Sequence, residues 1–487
     1  MRKIVLGIVT VLCFSGLRAQ YASEALSYSQ TDLMGTAAYV GRGGAIGALG
    51  ADFTAASYNP AGLGMFYSSQ LSISPSLDWS INNSTYMGNE EDESRTIFAF
   101  NNANALFAFK TGAAEGWRVF QFGLGVNKLR SFNNRTYLEG NPTNTSLLTV
   151  WTDNANSANG FDSYTSSLAR ICGLMSYDSV SGTYTNIFKG NVQELTQSQY
   201  KVESGGVSEM VVSFSGNYSD KLYLGATLGV PFLGYRSTSL YTETPTEVLD
   251  TIGLKEFNFW ENKNIDGTGV NLKLGAIYRP IDNLRIGLAF HTPTYYEINE
   301  SYSTTVESEI LIPGRDKYRT SEANLYGIYY YNFTTPLKLL ANMAVTMGNM
   351  SSKLAGSLSF DYEFTNYRSM RFSGGDKQYM KLVNEDIKNM YRPTHTFRIG
   401  GTLNVMKLAF RLGAVYTTDP YKENLGKDAE KMTIACGVGY QNRSYFVDFA
   451  YAHTEQKDKM YFSANPTDIV SLTDYRNLFV LTIGMKF

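Results

Sequence analysis

The sequence predicts an all-β protein, a transmembrane barrel of fourteen antiparallel strands. Three observations lead to this prediction: stretches with a hydrophobic period of two, short and long connections that alternate along the chain, and an unusual composition. The 487 residues include 35 Tyr, 28 Phe and 44 Gly but only 12 Pro. Aromatic residues favour strands and proline interrupts paired ladders, so this composition fits long, fully paired strands.

The period of two is clearest at the end of the chain, in YRNLFVLTIGMKF at residues 475–487. Phe479, Leu481 and Ile483 lie on one face there, and Thr482 and Gly484 lie on the other. The same alternation runs through residues 269–280 and 353–366. Alternation indicates a strand with one apolar face, and about ten residues is the length that a tilted strand needs to cross a bilayer.

The connections between these strands alternate in length. The short ones are at residues 111–116, 216–221, 279–284, 348–353, 405–407 and 441–444. The long, polar ones are at residues 81–94, 131–206, 243–267, 299–323, 369–392, 419–430 and 455–474. Thirteen links join fourteen strands, and short turns on one side with long loops on the other are typical of outer-membrane barrels.

Other protein classes explain these features less well. A soluble β-sandwich also has alternating strands, but it explains neither the strand length nor the one-sided long loops. The formal net charge of -2 gives no basic field for nucleic acid. Beyond the N-terminal segment no apolar run reaches about 18 residues, so we expect no transmembrane helix.

The first residues have the pattern of a secretory signal peptide. Arg2 and Lys3 precede an apolar run at residues 4–16, and Ala19 is the expected last residue before cleavage. We therefore expect a signal peptide at residues 1–19 and a mature chain that begins at Gln20. The mature chain keeps only two cysteines, so we expect no disulfide framework in this exported protein.

The sequence offers little for catalysis, metal binding or a cofactor. Its three histidines, His291, His395 and His453, have no metal-ligand spacing and no sequence-adjacent support for a catalytic triad. The glycine run at residues 41–50 lacks the Lys-Ser/Thr ending of a phosphate-binding loop. We expect no enzyme, no metal and no cofactor, and an outer-membrane hydrolase is the least favoured alternative.

Charged residues occur within the alternating strands. Placing a charge on the lipid side near the midplane costs roughly 2–4 kcal/mol, so these side chains should point into the lumen. They could fill the barrel with ion pairs, or the basic ones could bind the carboxylate of an amphipathic solute. The residues concerned are Lys273, Arg279, Arg285, Asp361, Glu363, Arg411 and Asp448.

Two motifs resemble a known family. GRGGAIGALGADFTAASYNPAGLG at residues 41–64 includes an Asn-Pro-Ala step, and GTGVNLKLGAIYRPIDNLRIGLAFHTP follows at residues 267–293. Together with their positions, these motifs resemble the FadL/TodX family of outer-membrane channels for hydrophobic compounds. Phe487 is similar to the C-terminal signal that barrel-assembly machinery reads. The cleavage context LRAQ and the glycine run look most like the Bacteroidetes branch.

The resemblance implies a domain organisation. Residues 20–66 would form an N-terminal plug inside the lumen, and residues 67–487 would form the fourteen-stranded barrel. Residues 131–206 would be a long extracellular loop insertion. The plug motif, which would act as a gate, comprises Gly43, Gly44, Asn59, Pro60, Ala61 and Gly62.

The resemblance also implies a function. We expect an outer-membrane channel for uptake of hydrophobic or amphipathic small molecules, such as long-chain fatty acids or aromatic hydrocarbons, by plug-gated passive diffusion. The alternative is a barrel that binds protein partners in secretion or adhesion, at its extracellular loops, without solute flux. The expected partners are a hydrophobic ligand, outer-membrane lipid and the barrel-assembly machinery.

Overall fold

The structure is a computed structural model that describes residues 16–143, 145–157, 160–188, 194–246, 253–311, 318–348, 354–422, 425, 429–462 and 465–487. Most of the expected signal peptide lies outside these residues, so cleavage after Ala19 stays a prediction.

Fourteen strands form the wall, and four of them are interrupted. They are β1 (Gln70–Tyr86), β2 (Asn89–Lys110), β3 (Trp117–Ser131 and Asn134–Thr143), β4 (Leu195–Tyr218), β5 (Leu222–Pro245), β6 (Leu254–Ile281), β7 (Leu284–His291 and Tyr295–Leu311), β8 (Tyr318–Thr334 and Lys338–Met347), β9 (Leu354–Asn366 and Arg371–Ser373), β10 (Pro393–Val405), β11 (Leu408–Thr417), β12 (Lys431–Gln441), β13 (Tyr445–Phe462) and β14 (Asn465–Lys486).

Each strand pairs antiparallel with its neighbour in sequence, and the last strand closes the barrel. β1 pairs with β14 from Gln70↔Lys486 to Thr85↔Ser471. The predicted fourteen-stranded antiparallel barrel is therefore confirmed. Its links alternate between a short-turn end and a long-loop end, and the short-turn end includes the tight connection between β4 and β5 at residues 219–221.

The two faces of the wall differ in polarity. On β1 the inward residues are polar and buried, including Ser76 and Asp78, whereas Leu71, Ile73 and Leu77 point outward and are exposed. Similar exposed apolar side chains surround the barrel, for example Phe232 on β5 and Phe410 on β11. This belt of outward apolar side chains suits contact with lipid hydrocarbon.

Several strands are longer than the sequence predicts. β4, β5 and β6 contain 24, 24 and 28 residues. Most of residues 81–94, 243–267, 299–323 and 455–474, which the sequence predicts to be loops, is strand. The prediction was wrong because the strands continue beyond the apolar belt with polar residues on both faces, which removes the hydrophobic alternation but not the backbone pairing.

Helical segments occur at the N-terminus and in two of the long loops. They are α1 (Gly16–Ser29), α2 (Ala37–Val40), α3 (Leu147–Asn156), α4 (Ser166–Ile171) and α5 (Lys377–Met390), together with 3-10 turns at Phe53–Ser57, Pro60–Met65 and Tyr367–Ser369. The predicted loop at 131–206 is therefore partly strand and partly helix, and it also contains a small hairpin, Met175–Asp178 with Thr183–Asn186. No helix among the described residues is long and apolar enough to cross a membrane.

Residues 20–66, which precede the first strand, form the plug, and their buried side chains from Ala22 onward lie inside the barrel. Buried plug residues such as Ile46, Phe53 and Leu63 pack against wall residues such as Leu106 and Leu340 in one apolar cluster. The interior of the barrel is therefore a packed core that includes the N-terminal segment.

Candidate functional site

The plug fits the wall so closely that the wall has glycines where the two backbones meet. A Cβ atom placed on Gly413 of β11 would lie 2.1 Å from the carbonyl carbon of Arg42 in the plug. The Arg42 side chain donates to Thr402 Oγ1 on the neighbouring β10 at 3.0 Å. Only glycine allows this approach, because any other side chain at position 413 would displace the plug backbone.

The predicted plug motif lies at this contact. Gly43 and Gly44 have φ of 61° and 75°, a conformation that glycine adopts without strain. Asn59 starts the second 3-10 turn, because its side chain accepts a hydrogen bond from the Ala61 N–H at 3.3 Å. Its amide nitrogen also donates to the Gly47 carbonyl at 2.7 Å. This motif therefore holds two parts of the plug together.

The motif differs from the sequence prediction in one respect. The first 3-10 turn begins as expected, with the Asp52 side chain accepting from the Thr54 N–H at 2.9 Å. The sequence predicts a sharp turn at Gly62 and Gly64 into a strand near Tyr67. Pro60–Met65 instead forms a second 3-10 turn, and Gln70 is the first strand residue. A gating role for the motif stays a prediction.

The structure places six of the seven predicted lumen charges inside the barrel, each with a partner. Lys273 pairs with Glu209, and Arg411 Nη1 lies 2.6 Å from Asp448 Oδ1. Two of the six bind the plug backbone, and a third pairs with a neighbouring wall residue. Asp361 accepts from the Gly47 N–H at 2.8 Å, Arg285 donates to the Leu49 carbonyl at 2.8 Å, and Glu363 binds Arg398 at 2.8 Å.

Arg279 is the exception among the predicted lumen charges. It lies near the short-turn end, where its guanidinium is 3.0 Å from Asp282 in the following turn. The inward and outward alternation of β6 continues through this region, with Lys273 and Ile277 buried and Tyr278 exposed, and the strand ends two residues after Arg279. Arg279 therefore lies at the short-turn mouth of the lumen, on the inward face of β6.

A cavity of about 140 Å³ lies between the plug and the wall. Its lining combines apolar groups, such as Tyr28, Leu129 and Val207, with threonine hydroxyls and ion pairs. One cluster in the lining joins Glu363 to both Lys338, at 3.2 Å, and Arg398. The cavity is therefore amphipathic, which suits a molecule that has both an apolar body and a polar group.

Sequence reasoning missed several charged residues of this lining. They are Asp32, Glu209, Lys338, Arg398 and Lys431. Arg398 alternates with apolar neighbours on β10, so the period of two could have revealed it. Asp32 belongs to the plug and binds Lys431 at 2.5 Å and Arg476 at 3.0 Å. These partners are more than 390 positions apart in the chain, so no local pattern could indicate them.

The backbone ladder of the wall is interrupted beside this cavity, although side chains bridge the interruption. Arg95 Nη1 donates to the Glu203 carbonyl at 2.6 Å, and Asn89 Nδ2 donates to the Glu139 carbonyl at 3.1 Å. β2 and β3 pair only from Asn102↔Asn127 to Lys110↔Val119. Beyond Asn127, β3 keeps its pairing with β4 but leaves β2, so the described residues of β2 from Asn89 to Asn101 have no ladder partner on that side. We call this gap the wall opening. The outward side chains of Phe98 and Phe100 are 59% and 56% exposed, which places the part of the opening nearest Asn101 in the apolar belt.

The plug closes the inner side of the wall opening. The Asp32 N–H donates to the Leu129 carbonyl at 2.8 Å, and the Ser131 N–H donates to Asp32 Oδ2 at 3.2 Å. The part of β3 beyond Asn127, which no longer pairs with β2, is therefore hydrogen-bonded to the plug. Leu129 and Asp32 also line the cavity, so the cavity lies directly behind the opening.

The long-loop end of the lumen is filled by α3, α4 and the small hairpin, which we call the lumen cap. Its apolar core contains Leu148, Trp151 and Cys172 from the cap and Phe257 and Val306 from the wall. Glu243 of β5 anchors the cap, because its carboxylate accepts from the Ser146 hydroxyl and the Leu147 N–H, both at 2.6 Å. The lumen cap therefore lies between the cavity and the long-loop end of the barrel.

The three histidines and Phe487, which are named above, all make hydrogen bonds within the fold. His291 is buried, with Nε2 2.7 Å from the Tyr58 carbonyl of the plug. His395 and His453 make hydrogen bonds to Tyr362 and Asn477. No group of acidic, His and Cys residues within the described ranges could hold a metal ion. Phe487 is exposed, and its N–H donates to the Ser69 carbonyl at 3.0 Å.

The fold and the cavity define a class, a plugged fourteen-stranded barrel, and solved structures of similar shape exist. The P. putida toluene transporter TodX has a TM-score of 0.53 with 13% identity over 94% of this chain and 99% of that chain. A Pseudomonas aeruginosa FadL homologue has a TM-score of 0.53 with 13% identity over 94% and 100% of the two chains. No known protein family matches the sequence, and no curated protein matches it. At these identities the likeness shows the shared fold.

Proposed function

We propose that the protein is an outer-membrane channel for uptake of hydrophobic and amphipathic small molecules. The observation that carries this proposal is the wall opening with the amphipathic cavity directly behind it. The apolar belt and the long-loop end support placement in the outer membrane, and the expected signal peptide at residues 1–19 would direct export. The resemblance to solved transporters of the same fold adds support.

We propose that solute leaves the cavity sideways, through the wall opening and into the membrane. The hydrogen bonds of Asp32 to Leu129 and Ser131 hold the plug across the opening. A shift of this plug segment would break these hydrogen bonds and the ion pairs of Asp32 with Lys431 and Arg476, and it would connect the cavity with lipid. Lateral release suits an apolar solute, because the solute then never crosses water inside the barrel.

The alternative, a barrel that binds protein partners in secretion or adhesion, needs neither a cavity nor an opening in the membrane region. The wall opening therefore favours transport. A substitution that fills the opening separates the two functions, because only transport depends on it.

The substitution Ala99→Trp tests this proposal. Ala99 faces inward beside the opening, because it pairs with buried Ser76, and it is only half-buried itself. An indole there would obstruct the opening, so we expect several-fold slower uptake of a fluorescent long-chain fatty acid into vesicles that contain the purified protein.

Ala103→Trp is the matched control on the same strand. Ala103 pairs with outward Ile73 and with Val126 of β3, so its side chain faces lipid in the paired part of the wall. This variant should take up the fatty acid at the wild-type rate. Wild-type uptake by a folded Ala99→Trp protein would contradict lateral release.

A further inference from the structure

The short-turn end carries an excess of basic side chains. We define the short-turn rim as the charged residues in or within three positions of the described short turns and at the end of β14. Its acidic members are Glu115, Asp220 and Asp282. Its basic members are Lys110, Arg118, Lys221, Arg279, Arg285, Lys407, Arg443 and Lys486.

The acidic residues of the rim neutralise only a small part of this charge. Arg118 pairs with Asp220, and Arg279 pairs with Asp282 at 3.0 Å. Lys110, Lys221, Lys407 and Arg443 are exposed, and none of the four has an ion pair among the described residues. Four basic side chains without an ion pair among the described residues therefore lie in or beside four different turns, spread around the circumference of the barrel.

The rim lies at the border of the apolar belt. Phe109, directly before Lys110, is 60% exposed, and Met406, directly before Lys407, is 75% exposed. Ile281 and Met485 are each 63% exposed at the same end. Exposed apolar side chains next to lysines indicate the level at which hydrocarbon gives way to lipid headgroups.

The opposite end has a different charge. The tip of the β1–β2 hairpin carries four consecutive acidic residues, Glu90 to Glu93. The basic excess of the short-turn rim therefore does not follow from the composition of the whole chain, whose formal net charge is -2.

We propose that the short-turn rim binds the headgroups of anionic phospholipids in the membrane leaflet that faces it. The proposal relies on the membrane placement given above and does not depend on solute transport. Each basic side chain near an anionic lipid surface favours binding by roughly fivefold. Four such groups on separate turns would select phospholipids of the phosphatidylglycerol type around the barrel and would fix its depth in the membrane.

The test compares two sets of substitutions with equal loss of charge. The rim variant is Lys110→Gln, Lys221→Gln, Lys407→Gln and Arg443→Gln. The control variant is Lys377→Gln, Lys381→Gln, Lys388→Gln and Lys459→Gln, all of them exposed at the long-loop end. Each protein is reconstituted in vesicles of phosphatidylglycerol and phosphatidylcholine in equal amounts, extracted, and its bound lipids are counted by native mass spectrometry.

We expect phosphatidylglycerol to be enriched on the wild type and on the control variant, and the enrichment to fall at least tenfold on the rim variant. A heat-dependent gel shift verifies that both variants are folded. Equal binding of the two lipids by the wild type, or equal losses in both variants, would overturn the proposal. Fatty-acid uptake by the same proteins shows independently whether transport persists, so the two proposals can fail separately.

Discussion

Single glycine positions determine whether the plug fits inside the barrel. Gly413 of β11 faces the plug backbone at Arg42, whereas Gly401 of β10 has open space, since a Cβ there would meet only the Ser357 carbonyl at 3.9 Å. Both glycines lie in strands of alternating polar and apolar residues, and these strands are adjacent in the wall. Their different surroundings provide a test of how the plug is seated.

Gly413→Ala should loosen the plug. Overpacking of a tight contact costs about 1–3 kcal/mol, and here the neighbouring atoms are backbone that has little freedom to move. We expect the variant to admit small polar solutes into reconstituted vesicles faster than the wild type, while Gly401→Ala should be as tight as the wild type. Equal leakage of the two variants would show that the Arg42 contact does not seat the plug.

The lumen cap is an element with its own core. Trp151 of α3 packs edge-on against Phe257 and Phe259, with ring centroids 5.5 and 4.9 Å away. Cys172, at the end of α4, is fully buried beneath it and donates to the Val306 carbonyl at 3.2 Å. Burial raises the pKa of the Cys172 thiol to about 11, so at neutral pH it is protonated and unreactive.

Trp151→Ala should open the lumen cap and expose this thiol. The loss of a large buried aromatic side chain costs about 3–5 kcal/mol, most of it in the contacts between cap and wall. In a Cys436→Ser background, we expect slow labelling of Cys172 by a charged maleimide and several-fold faster labelling after Trp151→Ala. Val180→Ala is the control, because Val180 is 94% exposed on the small hairpin. A labelling rate unchanged by Trp151→Ala would mean that the cap stays closed without this core.

The plug and the lumen cap together fill the lumen that the wall surrounds. The plug contacts both halves of the barrel, for example Glu209 of β4 through Ser57 and Thr482 of β14 through the Ala37 N–H. These contacts fill a lumen that fourteen strands would otherwise leave wide enough for water. We therefore expect residues 20–66, together with the lumen cap, to form the barrier to polar solutes.

Deletion of residues 20–66 should convert the protein into a leaky pore. We expect the wall to close, because β1 and β14 pair without the plug, and small polar solutes should then pass through reconstituted vesicles. The swelling rate of vesicles in sugar solution measures this passage. A deletion variant that is folded by gel shift yet no leakier than the wild type would refute the role of the plug as the barrier.

The sequence predicts the strands of the wall, but it does not predict the wall opening or the contacts of the cavity. Alternation on β14 and β9 predicts strands because each position depends only on which face meets lipid. The wall opening depends on where β3 leaves β2 at Asn127, which is a relation between strands and has no local pattern. The partners of Asp32 were hidden for the same reason. The helix α5 was missed although Met380, Val383 and Ile387 repeat at helical spacing, because it lies in a segment read as a polar loop.

The closure between β1 and β14 also imposes an order of events. Gln70 meets Lys486, so the wall is complete only after the last strand has been made. The plug precedes β1 in the chain and touches β14, so we expect it to occupy the lumen before the ring closes. A plug peptide supplied afterwards would find no way in, and the deletion variant should stay leaky in its presence. We therefore expect the wall to assemble around the plug.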